Sequence, residues 1–139
     1  MPGYSLWLVP LEDSDLYKTI HDLTLNRIPS IFPDGNPARF VPHITLTSNV
    51  LPGPADQTSQ TQDWLDRMTI PDSGSGLKVA IHEVEVDVKF FKKITMRCDK
   101  THELCELAAF CRAAGVEGED VDQGRLWVEK EYLPHCSLM

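Results

Sequence analysis

The sequence contains no long apolar run. The run Leu6–Val9 stops at Pro10, whereas a membrane-spanning helix needs about 20 apolar residues. No basic segment precedes this run, so we expect neither a membrane span nor a signal peptide. The length of 139 residues suits one domain with its own core.

Basic residues are also scarce. The chain has 13 Lys and Arg against 21 Asp and Glu, a formal net charge of −8. This balance repels a nucleic-acid backbone and argues against a partner such as duplex nucleic acid. It does not exclude a small phosphate ligand, which interacts with a few groups in a cleft. A content of 42% hydrophobic and 24% charged residues is that of a globular protein and excludes disorder and coiled coil.

Metal-binding and disulfide patterns are absent. None of the four cysteines, Cys98, Cys105, Cys111 and Cys136, belongs to a C-x-x-C motif. We therefore expect a reduced, intracellular protein, with a cytoplasmic location as the first choice.

The pattern of apolar residues predicts an α+β fold, because strands and helices follow one another without regular alternation. Between Leu77 and Cys98 apolar residues alternate with charged ones, which is typical of a strand with one wet face. The full set of predicted elements is strands at Tyr4–Val9, within Leu77–Cys98 and at Ile94–Cys98, helices from Ser14 to about Arg27, at Gln62–Met68 and at Thr101–Ala114, and a solvated loop at Glu117–Gly124.

A seven-residue repeat is the most informative feature. Phe40–Leu46 returns as Tyr132–Leu138 with aromatic, aliphatic, Pro, His, apolar, hydroxyl and Leu in the same order. Such a repeat in a short chain predicts two similar halves.

Each copy of the repeat reads as a strand that begins after a proline. Alternate side chains of a strand share a face, so His43 and Thr45 point one way and His135 and Ser137 do the same in the second copy. Each copy therefore offers an imidazole and a hydroxyl on one face and an apolar anchor on the other.

Two imidazoles that face one cleft are suited to phosphodiester cleavage. One accepts a proton from the attacking water and the other protonates the leaving oxygen. The hydroxyls can donate to the non-bridging phosphate oxygens. This chemistry requires no metal or other cofactor.

The two motifs His43–Leu46 and His135–Leu138 resemble the paired H-x-T/S-x motifs of the 2H phosphoesterases. With the opening Met1–Pro10, the order of elements is most similar to the fungal 2′,3′-cyclic-nucleotide 3′-phosphodiesterases. The resemblance implies a single 2H phosphoesterase domain over residues 1–139, with two pseudo-symmetric antiparallel sheets and flanking helices around a central cleft. It also allows a Golgi-associated location.

The resemblance further implies hydrolysis of small-molecule cyclic phosphates, including ADP-ribose 1″,2″-cyclic phosphate formed after tRNA splicing. It assigns His43 and His135 as catalytic residues and Thr45 and Ser137 as substrate-binding residues. Family members usually continue with further strands after the second motif, whereas this sequence ends at Met139. C-terminal strands are therefore expected to be missing, and the chain to be a monomer or, if truncated, a strand-exchanged oligomer.

Aromatic residues are candidates for stacking on a nucleobase. Trp7 lies in the first predicted strand, opposite its leucine neighbours, so it can line a cleft. The other candidates are Trp64, Trp127 and Phe40.

Three alternatives stay open. The first is an RNA 2′,3′-cyclic phosphodiesterase or a 2′-5′ ligase-like enzyme, although no basic stripe suits a long RNA. The second is a non-catalytic binder of nucleotide phosphates. The third is a zinc site of His43, His135 and Cys136, which is disfavoured because neighbours in a strand point to opposite faces.

Overall fold

The computed structural model describes residues 4–33, 41–50, 58–70, 77–86 and 94–138. The described strands are β1 (Tyr4–Leu8), β2 (Ile44–Val50), β3 (Ile81–Val86), β4 (Ile94–Cys98) and β5 (His135–Ser137). The helices are α1 (Asp15–Asp22), α2 (Ile28–Ile31), α3 (Thr58–Arg67), α4 (His102–Gly115) and α5 (Val121–Glu131), with a π-helical turn at Leu23–Arg27 between α1 and α2.

The strands form one sheet in the order β1-β2-β5-β4-β3. The pairs β2–β5, β4–β5 and β3–β4 are antiparallel. The predicted α+β class is confirmed. All described strands lie in this single sheet, so the two separate sheets that the resemblance implies are not seen among the described residues.

By their contacts the described residues divide into two compact units. The first falls within Met1–Leu6, Thr45–Val79 and Lys100–Leu133, and the second within Trp7–Ile44, Ala80–Asp99 and Pro134–Met139.

The second unit has a core between sheet and helix. Ile20 and Ile28 of the helical segment pack with sheet residues that are likewise more than 90% buried. The strand residues of this cluster are Ile44, Met96, Cys98 and Cys136, and Leu138, which directly follows β5, belongs to it as well. Burial of this apolar area is the main stabilisation of the unit.

The helical segment of this unit begins and ends differently from a regular helix. Ser14 caps α1, because its hydroxyl accepts a hydrogen bond from the Tyr17 amide at 3.2 Å. The sequence predicts an end near Arg27, yet the helix continues to Ile31 through Pro29. Proline has no amide hydrogen and its ring collides with the carbonyl four residues earlier, so the turn ahead of it widens to the π form.

Strand β3 departs from the predicted pattern of one buried and one wet face. Val84 and Val86 are 60% and 80% exposed, whereas Glu85 is half-buried. The physical reason is position, since β3 is last in the strand order and outside the core cluster. The continuation of the predicted alternation, Val88 and Phe90, lies outside the described residues.

The first unit is built on two packed helices, α4 and α5. Helix α4 begins close to the predicted start, with Thr101 as its N-cap, and Leu104 and Ala108 are fully buried. The predicted loop at Glu117–Gly124 is wrong at its end, because Asp120 caps a second helix that begins at Val121. Gly124 lies inside that helix, where an added Cβ would be only 2.4 Å from the carbonyl oxygen of Ala109. Glycine here serves close helix packing rather than a loop.

Candidate active site

The two repeat segments form strands, each preceded by a fully buried proline, Pro42 and Pro134. Pro134 still uses its carbonyl, which accepts a hydrogen bond from the Cys98 amide at 3.0 Å. A proline at this point removes no donor that the sheet needs. Strand β5 begins directly at His135, whereas β2 begins at Ile44, one residue after His43.

Burial alternates across both motifs as expected for a sheet with one core face. Ile44 and Cys136 are buried, whereas the flanking His43, His135 and Ser137 are half-buried. The polar residues of the motifs therefore face away from the core.

Pairing of β2 with β5 brings the two motifs together. Ile44 lies opposite Cys136 in antiparallel register, so His43 lies beside Ser137 on the other face of the sheet. Directly opposite residues have Cβ atoms about 5 Å apart, and diagonal neighbours about 7–8 Å. His135 is the diagonal neighbour of His43. Two imidazoles and a hydroxyl thus share a patch that one phosphate group can span.

His43 is held on two sides. Its Nδ1 lies 2.8 Å from the carbonyl oxygen of Val41, and since a carbonyl only accepts, Nδ1 carries the proton. Trp7 stacks on the ring, with centroids 3.8 Å apart and planes inclined by 14°. Proton exchange with a ligand then falls to Nε2.

Thr45 belongs to the first compact unit. Its side chain is half-buried, and its carbonyl accepts a hydrogen bond of 2.9 Å from the hydroxyl of Tyr132, the aromatic residue that opens the second repeat segment. Tyr132 thereby links the two repeats through the backbone of the first motif.

The cysteines on the core face remain thiols. Burial raises the pKa of Cys136, although a hydrogen bond from the His43 backbone opposes this effect. Burial, with smaller contributions from Cys136 and Asp99, raises the pKa of Cys98 to about 11. A thiolate is the nucleophile and the metal ligand, so the chemistry of this region falls to the imidazoles and hydroxyls.

Sequence reasoning missed residues that pairing with β4 adds. Arg97 lies directly opposite His135, and Thr95 directly opposite Ser137. Glu85 of β3 accepts a hydrogen bond of 2.9 Å from Nη2 of Arg97. The alternation within Ile94–Cys98 was the available signal, because it places Thr95 and Arg97 on one face of the strand. Of the two, Thr95 is buried and Arg97 is half-buried.

The remaining aromatic candidates differ in position. Trp7 is 46% exposed and contacts His43, so it stays a candidate for base stacking. Trp127 instead packs between Arg112 and Tyr132, with the guanidinium carbon 4.6 Å from its ring centre, which gives it a structural role. Trp64 is half-buried on α3, and Phe40 lies outside the described residues.

Of the other histidines, His82 is exposed and its Nδ1 lies 3.2 Å from a carboxylate oxygen of Asp99. No helix within the described ranges is long and apolar enough to cross a membrane.

Two imidazoles and a hydroxyl on one sheet face are groups suited to general acid–base chemistry. The chain belongs to the cyclic phosphodiesterase-like protein family, whose sequence profile matches residues 1–139.

Three fungal relatives, each named 2′,3′-cyclic-nucleotide 3′-phosphodiesterase, match the whole or nearly the whole chain. The Phaeosphaeria nodorum protein is 35% identical over 140 residues, which cover 100% of this chain and 69% of the relative. The Neurospora crassa protein is 31% identical, with 100% and 71% covered. The Yarrowia lipolytica protein is 29% identical, with 99% and 72% covered.

Proposed function

We propose that this chain hydrolyses 2′,3′-cyclic nucleotides to nucleoside 2′-phosphates without a metal ion. Water attacks phosphorus, the bond between phosphorus and the 3′ oxygen breaks, and that oxygen leaves as a hydroxyl. One of His43 and His135 takes the proton from water and the other gives a proton to the 3′ oxygen. In either role His43 acts through Nε2.

The observation that carries this proposal is the register of β2 and β5, in which His43, Ser137 and His135 share one face. The family and the names of the relatives support the same reaction. Thr45 and Ser137 are proposed to donate to the non-bridging oxygens, where charge builds up in the transition state. Trp7 is proposed to offer its exposed face to the nucleobase.

Two finer points belong to the same proposal. ADP-ribose 1″,2″-cyclic phosphate, formed downstream of tRNA splicing, is a second substrate with the same cyclic phosphate. The protein acts in the cytoplasm.

The test uses adenosine 2′,3′-cyclic phosphate, with the product isomer identified by phosphorus NMR. We expect adenosine 2′-phosphate as product. His43→Ala and His135→Ala should each lower kcat by about 10²–10⁴-fold, the usual worth of a positioned acid or base, with the double variant little worse than either.

His82→Ala is the matched control, since it removes an exposed imidazole of the same unit and should leave kcat unchanged. Release of the 3′-phosphate, or a single motif variant that keeps most of its kcat, contradicts the mechanism. Binding of the cyclic nucleotide without turnover favours the non-catalytic alternative.

A further inference from the structure

Arg97 of β4 is paired across the sheet with the histidine of the second motif, in β5. It lies directly opposite His135 in antiparallel register, so both side chains project from the same face of the sheet. The Arg97 side chain is 30% exposed, which leaves it within reach of a ligand while its stem packs against the sheet.

Glu85 fixes the guanidinium in this place. Nη2 of Arg97 donates to Oε2 of Glu85 at 2.9 Å. Glu83, which faces Arg97 directly, is exposed, so the contact runs along the diagonal of the ladder. A guanidinium has five N–H donors, and only the bond to Glu85 engages Arg97 among the described residues. The other donors are suited to the planar, two-point recognition of phosphate oxygens.

The net negative charge of the chain is a reason why a phosphate ligand needs a cation such as Arg97 at its binding site. A net charge of −8 repels an anionic ligand at long range, so binding of a phosphate needs local compensation. An arginine next to an imidazole is favourable when an anion lies between the two groups, because each then pairs with the anion rather than facing a like charge.

We propose that Arg97 binds the phosphate group of the ligand beside His135, and that Glu85 is the positioning residue that aims its guanidinium. The proposal rests on the proposed function for the identity of the ligand. It makes Arg97 one of the residues that favour a ribose phosphate over a nucleoside without phosphate.

Binding of the product tests this proposal without need of turnover. Adenosine 2′-phosphate and adenosine are titrated by calorimetry into the full chain and its variants. Arg97→Gln should lower the affinity for adenosine 2′-phosphate by about 10- to 100-fold, which is the contribution of hydrogen bonds to a charged group. The affinity for adenosine should not change. Arg97→Lys should restore part of the loss, since it keeps the charge but not the fork.

Glu85 variants separate positioning from fold stability. Glu85→Gln keeps an oxygen acceptor for Arg97 and should change the affinity less than about threefold, whereas Glu85→Ala should weaken it more. Arg125→Gln is the matched control, because it removes an Arg–Glu pair of 3.2 Å elsewhere on the surface. The urea midpoint of every variant is measured alongside. A purely structural role predicts lower midpoints for Arg97→Gln and Glu85→Ala with unchanged affinity.

The outcomes separate this inference from the proposed function. Equal affinity of Arg97→Gln and the original chain for adenosine 2′-phosphate, or no binding of that ligand at all, overturns the role of Arg97. Arg97-dependent binding without hydrolysis of the cyclic nucleotide supports Arg97 and overturns the enzymatic proposal. If Arg97→Gln leaves the rate of hydrolysis unchanged, the role of Arg97 is overturned and the proposed function is not. In a supportive result, Arg97→Gln raises KM more than it lowers kcat.

Discussion

Substitution of Gly124 by alanine sets two effects of opposite sign against each other. In a helix interior, alanine is more favourable than glycine by about 1 kcal/mol. The added methyl would, however, lie 2.4 Å from the carbonyl oxygen of Ala109 and 3.3 Å from the amide nitrogen of Ala113. These are backbone atoms of α4, which cannot rotate away as a side chain could.

The steric effect should win. Relief of the contact requires α5 to move by about 1 Å, and a gap of that size forfeits up to half of the dispersion energy of each neighbouring contact. Overpacking of a tight interface costs about 1–3 kcal/mol. We expect a cost at the upper end of this range, because the added methyl meets backbone atoms of α4. Gly124→Ala should therefore lower the free energy of unfolding by about 2 kcal/mol after the gain in helix propensity.

Urea unfolding followed by circular dichroism measures this change. With an m-value of about 2 kcal/mol per M, the midpoint should fall by about 1 M at unchanged slope. Gly118→Ala is the control, because Gly118 has φ of +60° and no atom within 4 Å of an added Cβ. It should cost about 1 kcal/mol from backbone strain alone. An unchanged or higher midpoint for Gly124→Ala refutes the steric reasoning and shows that α4 and α5 adjust freely.

Other measurements test the site and its surroundings. Thr45→Ala should lower kcat/KM by about 10- to 100-fold, because a hydrogen bond to a charged oxygen is worth about 1.5–3 kcal/mol, whereas Thr45→Ser should be nearly silent; equal losses would assign the effect to the methyl group. Activity should survive EDTA, since two imidazoles supply both proton transfers, and a loss that a divalent ion restores argues against this. The plot of kcat/KM against pH should show a maximum, because one imidazole must be neutral and the other protonated; a monotonic curve rules out the pair. Burial raises the pKa of Cys98 to about 11, so at about pH 8 mass mapping should find it labelled by a thiol reagent far more slowly than half-exposed Cys105.

The features that the sequence predicts best are those that depend on neighbouring residues, such as helix starts and the alternation of side chains along a strand. The helix starts at Ser14 and Thr101, the strand Ile94–Cys98 and the alternation around both motif histidines are local patterns, and the structure confirms each of them. The polar face of the motifs could be read because a strand has only two faces.

What the sequence could not predict depends on packing between distant segments. Helix α5 was missed because Gly124 and the acidic residues before it are typical of a loop, and only contact with Ala109 explains the glycine. The exposure of Val84 and Val86 follows from the place of β3 in the sheet, and Arg97 joins the site only through its register with His135. Strand order and register join residues far apart in the chain, and composition carries no record of them.

The central place of β5 has a consequence for the time course of folding. The β3–β4 pair joins segments that are close in sequence and can form early, whereas the pairing of β2 with β5 must close a loop of most of the chain. Such non-local contacts are slow to form and come late. His135 enters the sheet in the same event that places Cys136 and Leu138 into the core. An incompletely folded chain therefore lacks both the core and the second histidine, so activity should return only with the final, rate-limiting step of refolding.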